Sequence, residues 1–131
     1  KLHMESNLSY LRFAEGSSQS VSLVPQPRLA NTLSYQLDLG KKWKLASIEF
    51  TQASFFQQNQ VAAYENPSRF YQLCHSSVHV THTGIHMVEI ELSAKNITNS
   101  NYIDHLSRLK NIGMPSQGRS FILSVKWKIT T

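Results

Sequence analysis

A single cysteine, Cys74, excludes any disulfide within the chain. It stands in a β-rich stretch with no evident partner to activate its thiol, so it reads as a small buried or lipid-facing residue and not as a nucleophile. Charge is scarce as well: Asp, Glu, Lys and Arg make up 16% of the residues, against ~25% in ordinary soluble domains. No apolar run approaches the ~18 residues of a membrane-crossing helix. Walker motifs, Gly-rich phosphate loops and dinucleotide fingerprints are missing, which removes the commonest nucleotide chemistries. The N-terminus shows no signal peptide, and Lys1-Leu2-His3-Met4 reads as a cloning remnant ahead of an initiator Met4. The rest, 5–131, is expected to form one β-domain.

The residues that are present set narrow bounds. Hydrophobic residues at 40% suit a protein that hides apolar side chains at every second position. The net charge of +5 comes from scattered Lys and Arg, a solvated surface and not a nucleic-acid footprint.

Alternation is the dominant pattern. In Phe121–Ile129, one strand face carries Phe121, Leu123, Val125, Trp127 and Ile129, while Ser124, Lys126 and Lys128 lie on the other. Its length matches the ~9–11 residues of a tilted strand that crosses a bilayer. Arg28–Leu39 sets Leu29, Leu33, Tyr35, Leu37 and Leu39 against Thr32, Ser34, Gln36 and Asp38, and Gly40-Lys41-Lys42 then makes a tight turn. Past it, Trp43 and Leu45 keep odd positions whereas Ile48 and Phe50 take even ones, so a β-bulge is expected within Ala46–Ile48. That strand runs to about Phe56. A shorter, irregular strand spans Asn7–Phe13, and Gln57–Ser68, polar and broken by Pro67, is a longer loop.

Phe70–His82 and His86–Asn96 form a further pair around Thr83-Gly84-Ile85. Matching apolar positions sets Val80 opposite Val88, Val78 opposite Ile90, Cys74 opposite Ala94 and His79 opposite Glu89. The expected fold is all-β, an antiparallel meander of about six strands.

Several groupings suggest chemistry that their setting denies. His75, His79, His82 and His86 have spacings that would gather them on a helix as zinc ligands. On strands, His75 and His79 face away from His82 and His86; the register above leaves only His82 beside His86, and no metal site is expected. Glu89 and Glu91 share a face at a separation that suits a glycosidase pair, but Lys95 beside them makes a polar wall the better reading. Asp104-His105-Leu106-Ser107 is too local for a triad, whose members converge from separate elements. Phe121 and Trp127, which would suit base stacking, lie on the continuous apolar face. No catalytic residue and no cofactor are expected.

Upstream of the last strand lies an unusual combination. An Asn-rich turn begins at Asn96 and leads to Tyr102; His105-Leu106-Ser107 follows, then Gly113-x-Pro115-x-x-Gly118-Arg119, then the alternating strand. This order closely resembles the C-terminal end of TonB-dependent outer-membrane receptors, the plugged β-barrels that import siderophores, other metal chelates and cobalamin. The similarity extends from about Leu23 to Ile129, and Gln58–Pro67 also looks like the receptors' loop before a late barrel strand.

The resemblance implies a barrel wall in the bacterial outer membrane, with apolar faces toward lipid, polar faces toward the lumen and the two long loops outside. Its implied partners are lipid, the rest of the barrel and its plug, and, through the whole receptor, TonB and the barrel-assembly machinery. The motif residues carried over are Asn96, Tyr102, His105, Gly113, Pro115, Gly118 and Arg119, with Phe121, Leu123, Val125, Trp127 and Ile129 as the lipid-facing assembly strand. Ile129 stands where the family ends on an aromatic residue, and no plug or TonB-contacting box is present. Such receptors use ~22 strands, so this chain corresponds to a segment. In isolation it is expected to curl around its apolar face or to self-associate. The alternative function is a small self-contained β-barrel or sandwich that binds a ligand or carbohydrate.

Overall fold

The computed structural model describes residues 1–11, 25–40, 43–58, 66–83, 86–104, 107 and 110–129. Six antiparallel strands form one meander sheet in sequence order: β1 (Leu2–Ser9), β2 (Arg28–Leu37), β3 (Trp43–Phe55), β4 (Tyr71–Thr83), β5 (His86–Lys95) and β6 (Ser120–Ile129). A 3-10 turn at Lys110–Ile112 is the only helical element among the described residues. β1 and β6 do not pair with each other, so the sheet is not curled shut and keeps two open edges. The connections β1–β2, β3–β4 and β5–β6 are long and leave one end of the sheet; β2–β3 and β4–β5 are short and leave the other.

The first strand begins earlier than Asn7. Leu2, Met4 and Leu8 continue an apolar alternation and stand opposite Tyr35, Leu33 and Leu29. Residues 1–4 therefore pair in the sheet, and Phe13 lies outside the described residues. β2 stops at Leu37, so Leu39 is not on its apolar face. There the Gly40 N–H donates to Asp38 Oδ1 at 3.0 Å, and Gly40 turns the chain at φ 98°, which suits glycine. Lys41 and Lys42 lie outside the described residues, as do Gly84 and Ile85 of the second turn.

The bulge lies upstream of Ala46–Ile48. Trp43 pairs with His82 and Leu45 with Thr81, so residue 44 is the extra one, and pairing from Ala46 to Phe55 is unbroken. Next to the turn, the insertion changes phase without interrupting the sheet interior.

The β4–β5 register also differs from expectation. Val80 stands opposite Ile90, Val78 opposite Leu92, His79 opposite Glu91, and Ser76, not Cys74, opposite Ala94. Val88 and Glu89 face His82 and Thr81, so His82 is not beside His86. The parity was right and the offset wrong by two residues. A two-residue slip keeps every side chain on its face, so alternation alone does not penalise it.

Burial is concentrated at the long-loop end. Ala53, Tyr71 and Leu73 are buried there, where Ala53 pairs with both Ala30 and Leu73. Asn96, at φ 49°, and Asn99, at φ 53°, fold the β5–β6 loop back toward the sheet. Most of the sheet has no second layer, and no side chain is fully buried among the described residues.

Candidate functional site

Residues opposite one another in an antiparallel ladder share a face, so the pairing defines rows across the sheet. Nearest the short turns lie Trp43, His82, Val88 and Trp127. Next come Leu37, Ala46, Val80, Ile90 and Val125. A third row holds Leu2, Tyr35, Ile48, Val78, Leu92 and Leu123, and a fourth holds Met4, Leu33, Phe50, Ser76, Ala94 and Phe121. These side chains are largely uncovered: Phe121 is 72% exposed, Leu123 67%, Trp127 64% and Leu92 52%. Folding alone leaves this apolar surface in contact with solvent, far beyond the scattered exposure of ordinary proteins.

Toward the long loops the band gives way to polar side chains on β3 and β4, while Leu8 and Leu29 continue it on β1 and β2. Ser6 Oγ donates to Asn31 Oδ1 at 2.8 Å, Asn31 Nδ2 to Gln52 Oε1 at 3.2 Å and Gln52 Nε2 to Ser54 Oγ at 2.8 Å. Gln72 Nε2 completes the chain by donating to Ser54 Oγ at 3.1 Å. This hydrogen-bonded ladder crosses β1 to β4 on the same face. The opposite face is mainly polar through the same rows: Ser34, Glu49, Ser77 and Ser93 align and meet Ile122 at the edge strand, and Gln36, Ser47, His79, Glu91 and Ser124 align. Lys126 Nζ lies 3.9 Å from Glu89 Oε2 there, at a separation and exposure that add little to stability.

A second feature lies beyond the band. Phe55 and Tyr71 stack at 4.5 Å between ring centroids, Tyr71 stacks on Tyr102 at 4.7 Å, and the Arg28 guanidinium lies 5.3 Å from the Phe55 centroid. Burial, with Asp104 nearby, raises the pKa of the Tyr71 and Tyr102 phenols above the usual tyrosine range. An open cleft of about 490 Å³ adjoins this stack between the β3–β4 and β5–β6 loops, with Arg69, Phe70, Tyr71, Tyr102 and Lys110 on its walls. Lys110 is buried and donates to Gln58 Oε1 at 2.8 Å, which ties the two loops together.

The motif residues anchor this loop. Asn96 is buried; its Oδ1 accepts from the Ser100 N–H at 2.9 Å, and its Nδ2 donates to the Ser100 carbonyl at 2.9 Å and the Gln117 carbonyl at 3.5 Å. Asn99 Oδ1 accepts from the Arg119 N–H at 3.0 Å, and a Cβ on Gly118 would meet that same oxygen at 3.0 Å. Gly113, at φ 71°, closes the 3-10 turn by donating its N–H to the Lys110 carbonyl at 3.0 Å. Pro115 is exposed, and His105 lies outside the described residues.

Phe121, Leu123, Val125 and Trp127 form the apolar side of the edge strand β6; Ile129 pairs with His86, and its side chain lies outside the described part. Sequence reasoning missed Phe55, Tyr71, Arg28 and Lys110; the one available signal was aromatic residues at facing strand ends. The histidines disperse: His75 and His79 lie on the polar face, His82 on the apolar face with its ring 4.8 Å from that of Trp43. Among the described residues, no three His, Cys, Asp or Glu side chains converge. No family model matches the chain, and no curated protein or solved structure matches it.

Proposed function

We propose that this chain is a wall segment of a transmembrane β-barrel, the C-terminal part of a TonB-dependent receptor for nutrient uptake across the bacterial outer membrane. One observation carries the reading: an exposed apolar band, rimmed by Trp43 and Trp127 beside the short turns and giving way to the Ser6–Asn31–Gln52–Ser54–Gln72 ladder beside the long loops. From Trp127 to Phe121 it spans roughly 20 Å along the strand at ~3.4 Å per residue, against ~25 Å for the apolar belt of outer-membrane barrels. Tryptophans at one rim suit the membrane interface. Short turns at one end and long loops at the other match the periplasmic and extracellular ends of such barrels.

In this reading the lipid covers the band, the two open edges pair with neighbouring strands, and the polar face lines the lumen. The membrane-spanning part of β4 is then 76–82, and the aromatic stack and cleft lie outside the bilayer. Transport belongs to the whole receptor, and no catalytic role falls to this segment.

The test is tryptophan quenching in vesicles whose lipids carry bromine at graded acyl depths. Trp43 and Trp127, the chain's two tryptophans, should both be quenched best by the shallowest label. A monomeric chain that stays in the aqueous phase with both tryptophans unquenched would overturn the proposal.

A further inference from the structure

We infer that His75 is an acid-sensitive latch at the root of the β5–β6 loop: neutral, it holds the Asn96 N–H; protonated, it releases it. The inference rests on loop-root geometry and is independent of the membrane reading.

Asn96 leaves β5 in the left-handed region, and its N–H donates to His75 Nδ1 at 3.1 Å. An imidazole nitrogen accepts only when it carries no proton, so this bond selects the neutral tautomer with hydrogen on Nε2. Protonation places a hydrogen on Nδ1, and two donors then face each other. Asn96 is only 2% exposed, so water has little access to replace the lost acceptor. The displaced residue is also the hub of the root: its side chain holds Ser100 and Gln117, and the next N–H, of Ile97, donates to the Cys74 carbonyl at 2.9 Å. Moving Asn96 therefore disturbs both ends of the loop that carries Tyr102 onto Tyr71.

The surroundings favour the neutral ring. Partial burial, then the Lys95 ammonium on β5 and the Arg28 guanidinium on β2, lower the His75 pKa from its ordinary value. Glu49 on β3 and Glu91 on β5 line the same shallow depression. His79 shares the polar face of β4, while Arg119 flanks the far side of the root and Asp104 lies further along the loop. Because the folded pKa is depressed, the neutral latch is fully engaged above about pH 6.5. It weakens as pH falls through the interval from that value to the folded pKa.

The experiment is residue-resolved hydrogen exchange on the full chain between pH 7.5 and 5, corrected for intrinsic rates. It is paired with ¹⁵N NMR of the His75 ring. In the wild-type chain, protection of the Asn96, Ser100 and Arg119 amides should fall about tenfold on acidification, the scale of one lost buried hydrogen bond. H75N keeps a side-chain acceptor without a titrating proton and should hold that protection flat. Lys95→Gln should raise the His75 midpoint. If H75N does not fold, the wild-type NMR titration decides alone. There, the loop-root amide shifts must follow the His75 ring and not His79 or His82. Flat wild-type protection, an equal loss in H75N, or a protonated His75 beside unmoved Asn96 and Ser100 amides would each refute the latch.

Discussion

Leu92 gives the sharpest test of what covers the apolar band. It lies in the third row between Val78 and Leu123 and is 52% exposed. Fully burying a leucine is worth about 1.5–3 kcal/mol, so roughly half of that, ~1 kcal/mol or slightly more, remains to be gained by covering it. If lipid covers it, Leu92→Arg forfeits this gain and also places a guanidinium in the hydrocarbon. The expected loss is about 2–4 kcal/mol, the range for cationic substitutions at the midplane of barrel proteins. At ~1.36 kcal/mol per decade, vesicle affinity should fall roughly 30- to 1,000-fold. If water covers the position, the same change is a surface substitution worth within about 0.5 kcal/mol. The control is Ser93→Arg, one residue along on the polar face, which should change affinity little. Flotation of each variant with lipid vesicles over a lipid titration measures the difference. Equal behaviour of the two variants would refute a lipid-facing band.

Deleting Lys44 removes the extra residue of the bulge and leaves Trp43 next to Leu45 in a regular ladder, still opposite His82 on the apolar face. Trp43 should therefore keep its quenching by brominated lipid alongside Trp127. Asn96→Ala removes three side-chain hydrogen bonds and puts alanine at φ 49°, for a cost of about 2–4 kcal/mol by denaturant titration. Asn96→Gly relieves the backbone strain and should be the milder of the two. Burial raises the Tyr71 pKa, so the folded state holds that proton more tightly. Its contribution is whole below about pH 10 and declines as pH rises above it. Absorbance titration at phenolate wavelengths should show a late-ionising tyrosine that Tyr71→Phe removes.

Alternation was enough to determine the strand number, the order of the faces and the apolar side chains of β6. A period of two is imposed by the pleat and needs no tertiary contact. The Asn-rich turn before Gly113-x-Pro115-x-x-Gly118 was legible for a similar local reason. Asn96, Asn99 and Gly113 adopt positive φ, which these residue types tolerate best. The offset of β4 against β5 was not legible, because slips by two residues leave the faces unchanged. In the folded sheet, the β4–β5 pairing seats Val78 and Leu92 in one row with Ile48 and Leu123. The bulge position was hidden similarly: the phase change shows that a residue is inserted, and pairing with β4 shows where.

The loop root depended most on tertiary structure. His75 and Asn96 are 21 positions apart, and nothing in their local sequence says that a ring nitrogen will take that N–H. Only after β4 and β5 pair is the Asn96 N–H brought within reach of the ring and buried from water. A hydrogen bond between distant residues is set by where the chain returns, and that return is a property of the whole sheet.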